Sequence, residues 1–130
     1  MRQAAVCIIE NSHGQILILQ RSKTPHGFGL PGGKVDPGGE TILQAAIREV
    51  WEETKIAVDI SEEDKVGVVQ SAVKEFEVHV YYHKLDETFS VAKVLLSGEH
   101  VGYAWTTKPY EGFDLAGNTK KMIKLWPIQK

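Results

Sequence analysis

A mixed α/β layer fold is what this sequence predicts, and three features predict it. Two runs near the N-terminus, Ala4 to Ile9 and Ile16 to Leu19, are apolar without alternation, as strands buried on both faces are. An amphipathic helix occupies the middle of the chain. Strand-like stretches follow it, and a second helix closes the sequence. The 130 residues suffice for one core, so a single domain over residues 1–130 is expected. Hydrophobic residues at 42% and charged residues at 25% exclude a disordered, collagen-like or coiled-coil chain. The charge balance of 15 minus 17, or −2, disfavours long nucleic acid and anionic membranes as partners. One cysteine, Cys7, precludes an internal disulfide and fits a reducing compartment. The first apolar run is too short for a signal-peptide core or a membrane span. A soluble cytoplasmic protein is therefore expected.

Taken in order, Asn11-Ser12-His13-Gly14 is a turn, making the first two strands a hairpin. From Ser22 to Gly39 the chain is rich in glycine and proline with no evident regular structure, a length at which a loop is usually functional or disordered. Phe28, Leu30 and Val35 within it argue for order. Thr41 and Gln44 have the form of a capping box, which opens a helix to about Thr54 with Leu43, Ala46, Ile47 and Val50 as its apolar stripe. Strands are expected over Ile56 to Ile60, Lys65 to Val73, Glu75 to Leu85 and Val101 to Thr106. The closing helix runs from Asn118 or Thr119 to Leu125. Cys7 is expected in the core, and His79 and His83, which lack partners at zinc spacing, are expected to be structural.

The chemistry concentrates in Arg48-Glu49-Val50-Trp51-Glu52-Glu53. At about 100° per residue the three glutamates share roughly a third of the helix circumference, flanking the apolar stripe. They repel one another, at about 0.2–0.5 kcal/mol per like-charged pair. A hard divalent cation offsets that repulsion, and ligands that are all oxygen favour Mg²⁺ or Mn²⁺ over zinc. A solvated helix face is the alternative, though acidic residues near a C-terminus oppose the helix dipole. Just upstream, Gly27-Phe28-Gly29-Leu30-Pro31-Gly32 matches G-x-G-x-x-G, but no helix follows it directly, so a dinucleotide fingerprint fails on context. Lys34 likewise lacks the hydroxyl that follows a Walker lysine.

Leu30-Pro31-Gly32-Gly33-Lys34, then Glu40, then Arg48-Glu49-Val50-x-Glu52-Glu53-x-x-Ile56 resembles the Nudix box of the MutT-like Nudix hydrolases. The family pattern is Gly-x5-Glu-x7-Arg-Glu-U-x-Glu-Glu-x-Gly-U, where U is aliphatic. Two positions depart from it. Gly33 to Glu40 is one residue long, which predicts a bulge at Gly38-Gly39, and Lys55 stands where the family has a helix-capping glycine.

The resemblance implies a Nudix-type α/β/α sandwich with a mixed β-sheet. It also implies metal-dependent hydrolysis of a nucleoside diphosphate linked to another group, with Mg²⁺ as cofactor and Mn²⁺ possible. Glu49 and Glu53 would hold metal, with Glu52 a further ligand and the Gly32 carbonyl completing the set. Glu53 or Glu52 would deprotonate water. Arg48 would orient Glu49 or pair with Glu40, and Glu99 is either a distal fourth carboxylate or a surface residue. On the substrate side, Arg21 and Lys34 are candidates for phosphate contact, Phe28 for base stacking or loop anchoring, and Asn118 for a purine edge or a helix cap. A small nucleotide, a (d)NTP or damaged nucleotide, is the expected substrate. Glu99-His100-x-x-Tyr103-x-Trp105 also resembles a stretch of dinucleoside polyphosphate hydrolases, and RNA 5′ pyrophosphohydrolysis is a third reading. ADP-ribose is disfavoured because no proline lies between Pro37 and Pro109. The reading from another class is a nucleotide-binding regulatory module without turnover. Oligomeric state is not legible in the chain.

Overall fold

The computed structural model describes residues 2–23, 27–71, 75–86 and 94–127. Strand β1 (Arg2–Glu10) turns through Asn11–Gly14 into β2 (Ile16–Arg21), the two pairing where Glu10 faces Ile16. The turn is held by the Asn11 side chain, whose Oδ1 accepts from the main-chain N–H of His13 and Gln15, both at 3.0 Å. Past that pair the strands part. β3 (Phe28–Gly29) lies against the Leu19–Gln20 end of β2, and β4 (Gly32–Lys34) against Ala4–Val6 of β1. The glycine-rich segment thus fills the gap in the splayed hairpin, and the Cys7 N–H reaches the Pro31 carbonyl at 2.9 Å. The expectation of a loop without regular structure is corrected to this pair of short strands. Glycine and proline composition hides strands of two and three residues from any periodicity.

On the other edge of β1, β6 (Phe76–Lys84) runs parallel in unbroken register from Arg2–Phe76 to Glu10–Lys84, and β5 (Lys65–Ser71) pairs antiparallel with β6. β7 (His100–Thr106) runs antiparallel along β2. The sheet is mixed, and its strands carry two apolar faces. Ala5, Cys7, Ile9, Leu17, Leu19 and Tyr81 pack under α1 (Ile42–Thr54) with Ala45, Ala46 and Val50. Val6, Ile8, Ile16, Ile18, Val78 and Val80 pack on the opposite face with Ile123 of α2 (Thr119–Ile123). The result is the α/β/α sandwich that the resemblance implies. No helix among the described residues is long and apolar enough to cross a membrane.

Two further expectations need correction. Residues 56–60 form no strand: Ile56, Val58 and Ile60 are buried and Ala57 and Asp59 exposed, yet no strand among the described residues pairs with them. Alternating burial records which side meets the core, not whether a ladder forms. β5 is described as far as Ser71, and the rest of the expected strand, to Val73, lies outside the described residues. The closing helix stops at Ile123, after which Leu125 and Trp126 make tighter three-residue turns back to Met122 and Ile123.

α1 begins as its capping box predicts: the Gln44 N–H donates to Thr41 Oγ1 at 3.0 Å and the Thr41 N–H to Gln44 Oε1 at 2.9 Å. It ends at Lys55, which adopts the left-handed conformation (φ 60°, ψ 27°) and donates its N–H to the Trp51 carbonyl at 2.9 Å. Thr54 supports that ending, its hydroxyl donating to the Val50 carbonyl and accepting the Ile56 N–H. Lysine therefore performs the capping turn at a conformational cost. Lys55→Gly is expected to stabilise the protein by up to about 1 kcal/mol in urea unfolding, and a loss of stability would show that the lysine side chain contributes more than its backbone strain removes.

Candidate active site

The glutamates of α1 meet the glycine segment because two residues there carry no side chain. Gly32 sits at φ +151°, where a Cβ would strike the Ala5 carbonyl oxygen, and a Cβ at Gly33 would collide with the Glu49 carboxylate. With that space open, the Gly32 N–H donates to Glu53 Oε1 at 2.9 Å. Glu53 is 6% exposed, and burial, reinforced by Glu49, Glu99 and Glu52, pushes its carboxyl up to about 8 despite the Gly32 hydrogen bond. Burial also raises the Glu49 carboxyl, with Glu52 within hydrogen-bonding reach and Arg48 opposing the shift. Glu99 is exposed on the turn before β7, yet its charge acts on both Glu49 and Glu53, so it lies on their side of the sheet.

Arg48 is fully committed within the protein. Nε and Nη2 grip Glu40 at 2.6 and 2.9 Å, Nη1 donates to Glu52 at 3.0 Å and stands 3.8 Å from Glu49, and Nη2 also reaches the Lys34 carbonyl at 3.3 Å. This two-pronged pairing holds the Glu40 carboxyl below the usual range. Arg48 ties helix to loop and positions carboxylates, which is the pairing expected of it. The extra residue of the box is absorbed in an exposed turn at residues 37–39, where the Gly38 N–H meets Asp36 Oδ1 at 2.9 Å. Glu40 stays in place, its Oε1 also accepting the Asp36 N–H.

The nominated substrate residues fall elsewhere. Lys34 faces away from the glutamates, with its Nζ 5.7 Å from the Phe76 ring centroid and the Arg2 guanidinium 5.0 Å from the same ring. Phe28 packs edge-on against Phe113 at 5.1 Å and among the apolar side chains of the α2 face, so it anchors the loop. Asn118 occupies the position before α2 but makes no capping hydrogen bond; the helix starts instead with the Thr119 N–H on the Ala116 carbonyl. The capping expectation is corrected accordingly. Arg21 is exposed at the end of β2, opposite His100. The sheet thus separates a carboxylate group under α1 from Phe28, Lys34 and Asn118 beside α2.

Among the described residues no three His, Cys, Asp or Glu side chains converge into a ready-made metal cage. Arg48 draws Glu52 outward and Gly32 holds Glu53, which accounts for the spread. The donor chemistry nevertheless suits a hard cation: all the candidate side-chain ligands are oxygens, and burial and mutual repulsion leave Glu49 and Glu53 with raised proton affinity. A group that retains protons for want of positive charge is one that a cation can occupy instead.

The NUDIX domain model matches residues 1–114. The chain belongs to the Nudix hydrolase family. A Bacillus subtilis (strain 168) protein named as a candidate 8-oxo-dGTP diphosphatase is 32% identical over 93% of this chain and 76% of its own length. Among solved structures, the MutT protein of Methanosarcina mazei Go1 is 28% identical, covers 95% of this chain and 91% of its own, and superposes with a TM-score of 0.74. A Caenorhabditis elegans Ap4A hydrolase binary complex is 34% identical over 82% of this chain and 80% of its own, with a TM-score of 0.68. Nudix hydrolases generally use divalent metal ions. The matched residues include the glycine turn and all three α1 glutamates.

In the metal-free protein Glu53 holds its proton to about pH 8, whereas in the unfolded chain it ionises near pH ~4.3. The folded state binds more protons across that window, so its stability is fullest below the lower value and declines as pH rises towards the upper. Urea unfolding in EDTA should show wild type losing at least about 1 kcal/mol more than Glu53→Gln between pH 5 and pH 8. Equal losses would mean that Glu53 ionises freely in the fold.

Proposed function

We propose that this Nudix hydrolase cleaves a phosphoanhydride bond of a small nucleotide, a (d)NTP or damaged nucleotide, with Mg²⁺ or Mn²⁺ bound at the α1 carboxylates. The observation that carries the reading is the buried Glu53, in contact with Gly32 and electrostatically coupled to Glu49, Glu52 and Glu99. Glu49 and Glu53 would hold the metal, with Glu52, released from Arg48, the Gly32 carbonyl and Glu99 as further ligands. A bound divalent cation supplies charge neutralisation at the bridging and leaving oxygens.

The protein's own part is to position water and accept its proton. Glu53 suits that role better than Glu52. It is buried, its Oε1 is held by the Gly32 N–H, and Oε2 makes no hydrogen bond among the described residues. Glu52 is half exposed and held by Arg48. Arg48 acts through Glu40 and Glu52 as a positioning residue. The acidic net charge favours a small substrate over long RNA. The candidate diphosphatase from Bacillus subtilis supports a nucleoside triphosphate. A second reading, dinucleoside polyphosphate hydrolysis, is favoured by Glu99-His100-x-x-Tyr103-x-Trp105 and by the likeness to the Ap4A hydrolase. A cytoplasmic setting fits the one buried cysteine.

The test is phosphate or nucleotide release from 8-oxo-dGTP, the common dNTPs, Ap4A and a 5′-triphosphate RNA, with and without Mg²⁺. Turnover that requires the metal is expected on at least one of the first three, and Glu53→Gln should lower kcat by about 10²–10⁴-fold with little change in KM. No turnover on any of them, or a variant within threefold of wild-type kcat, overturns the mechanism.

Mg²⁺ at a hundredfold excess over its dissociation constant should stabilise the fold by about 2.7 kcal/mol. That gain should vanish in the Glu49→Gln, Glu53→Gln double variant, and if it persists there the metal binds somewhere else.

A further inference from the structure

On the α2 face of the sheet a groove of about 460 Å³ opens between the segment that follows β7 and the end of α2. Tyr110, Trp126, buried Ile123, Lys108, Lys124 and Glu111 line it, and the Lys108 ammonium lies 4.0 Å from the Glu111 carboxylate, a loose pair of exposed side chains. Trp126 is held in place: its indole N–H donates to Glu10 Oε1 at 3.0 Å, and the same oxygen accepts the Tyr82 hydroxyl at 2.7 Å. Glu10 is itself 8% exposed, so a buried carboxylate ties this ring to the sheet. Tyr110 is 46% exposed, and the Lys120 ammonium lies 5.8 Å from its ring centroid.

The charge here runs against the rest of the molecule. Residues 107–127 contain four lysines and two acids, Glu111 and Asp114, for a sum of +2 in a chain of net −2. Apolar rings alone would accept any flat apolar ligand, but rings bordered by two lysines against one carboxylate, with Lys120 beside Tyr110, favour one that is flat and anionic. A nucleotide has both properties: its base offers a face to stack on an aromatic ring, and its phosphate meets lysines.

The groove is remote from the glutamates. Glu99, which acts on Glu49 and Glu53, precedes β7, and Thr107 follows it; the seven-residue strand between them spans about 20 Å. A mononucleotide seated by Tyr110 does not reach the carboxylates. We propose that this groove is a second nucleotide site, built from Tyr110, Trp126, Lys108 and Lys124, which takes a nucleoside monophosphate by stacking and phosphate pairing. It goes beyond the hydrolytic reading and does not depend on it.

The experiment is calorimetric titration of the full chain with AMP in EDTA at low salt, where metal-mediated binding at the glutamates is absent. AMP is expected to bind wild type, more tightly than either adenosine or inorganic phosphate, and more weakly as salt is raised. Tyr110→Ala and Lys124→Ala, both at exposed side chains, should each weaken binding by at least about tenfold, while Tyr110→Phe retains it. Turnover of the preferred substrate should be unchanged in these variants, and melting curves establish that they fold. Absence of AMP binding to wild type overturns the proposal. So does AMP affinity that is unchanged in both variants, or affinity that falls in Glu49→Gln, Glu53→Gln but not in Tyr110→Ala.

Discussion

Everything at this site depends on the parting of β1 and β2 after the Glu10–Ile16 pair. A hairpin zipped along its length would leave no edge for another segment. Here β6 occupies one side of β1 and β7 one side of β2, so their inner edges are free to accept β4 and β3. The inserted chain must then pass between the β1 backbone and the carboxylates of α1. A Cβ at Gly32 would strike the β1 backbone, so glycine is required there by space as well as by its positive φ, and a Cβ at Gly33 would displace the Glu49 carboxylate.

That insertion brings a main-chain N–H to a buried carboxylate and leaves three more acids within electrostatic reach. The fold carries this repulsion as a local cost. Arg48 offsets part of it by clamping Glu40 and Glu52 and standing 3.8 Å from Glu49. A protein selected for stability alone would place an apolar residue at position 53, where 6% exposure suits one. A buried glutamate there costs stability, which fits a position whose charge serves the proposed metal site.

The sequence made much of this legible. The capping box at Thr41, the apolar stripe and the spacing of Glu49, Glu52 and Glu53 each reflect helical geometry, which local sequence determines. Lys55 in the left-handed cap followed from aligning one box position. What escaped were features set by tertiary partners. Residues 56–60 alternate as a strand does but pair with no strand among the described residues. The strands at Phe28 and Gly32 are too short to show a period. Glu10, just past the Ala4 to Ile9 run, is a buried acceptor for Tyr82 and for Trp126, 116 positions along the chain. Asn118 has the residue type of a cap without the geometry of one.

The central claim is that Glu53 holds a proton which a divalent cation displaces. Calorimetry of Mg²⁺ binding near pH 7, in two buffers of different ionisation enthalpy, counts protons released per metal bound. The account predicts release approaching about one proton in wild type and markedly less in Glu53→Gln. Binding without proton release, or equal release from the two proteins, would contradict it.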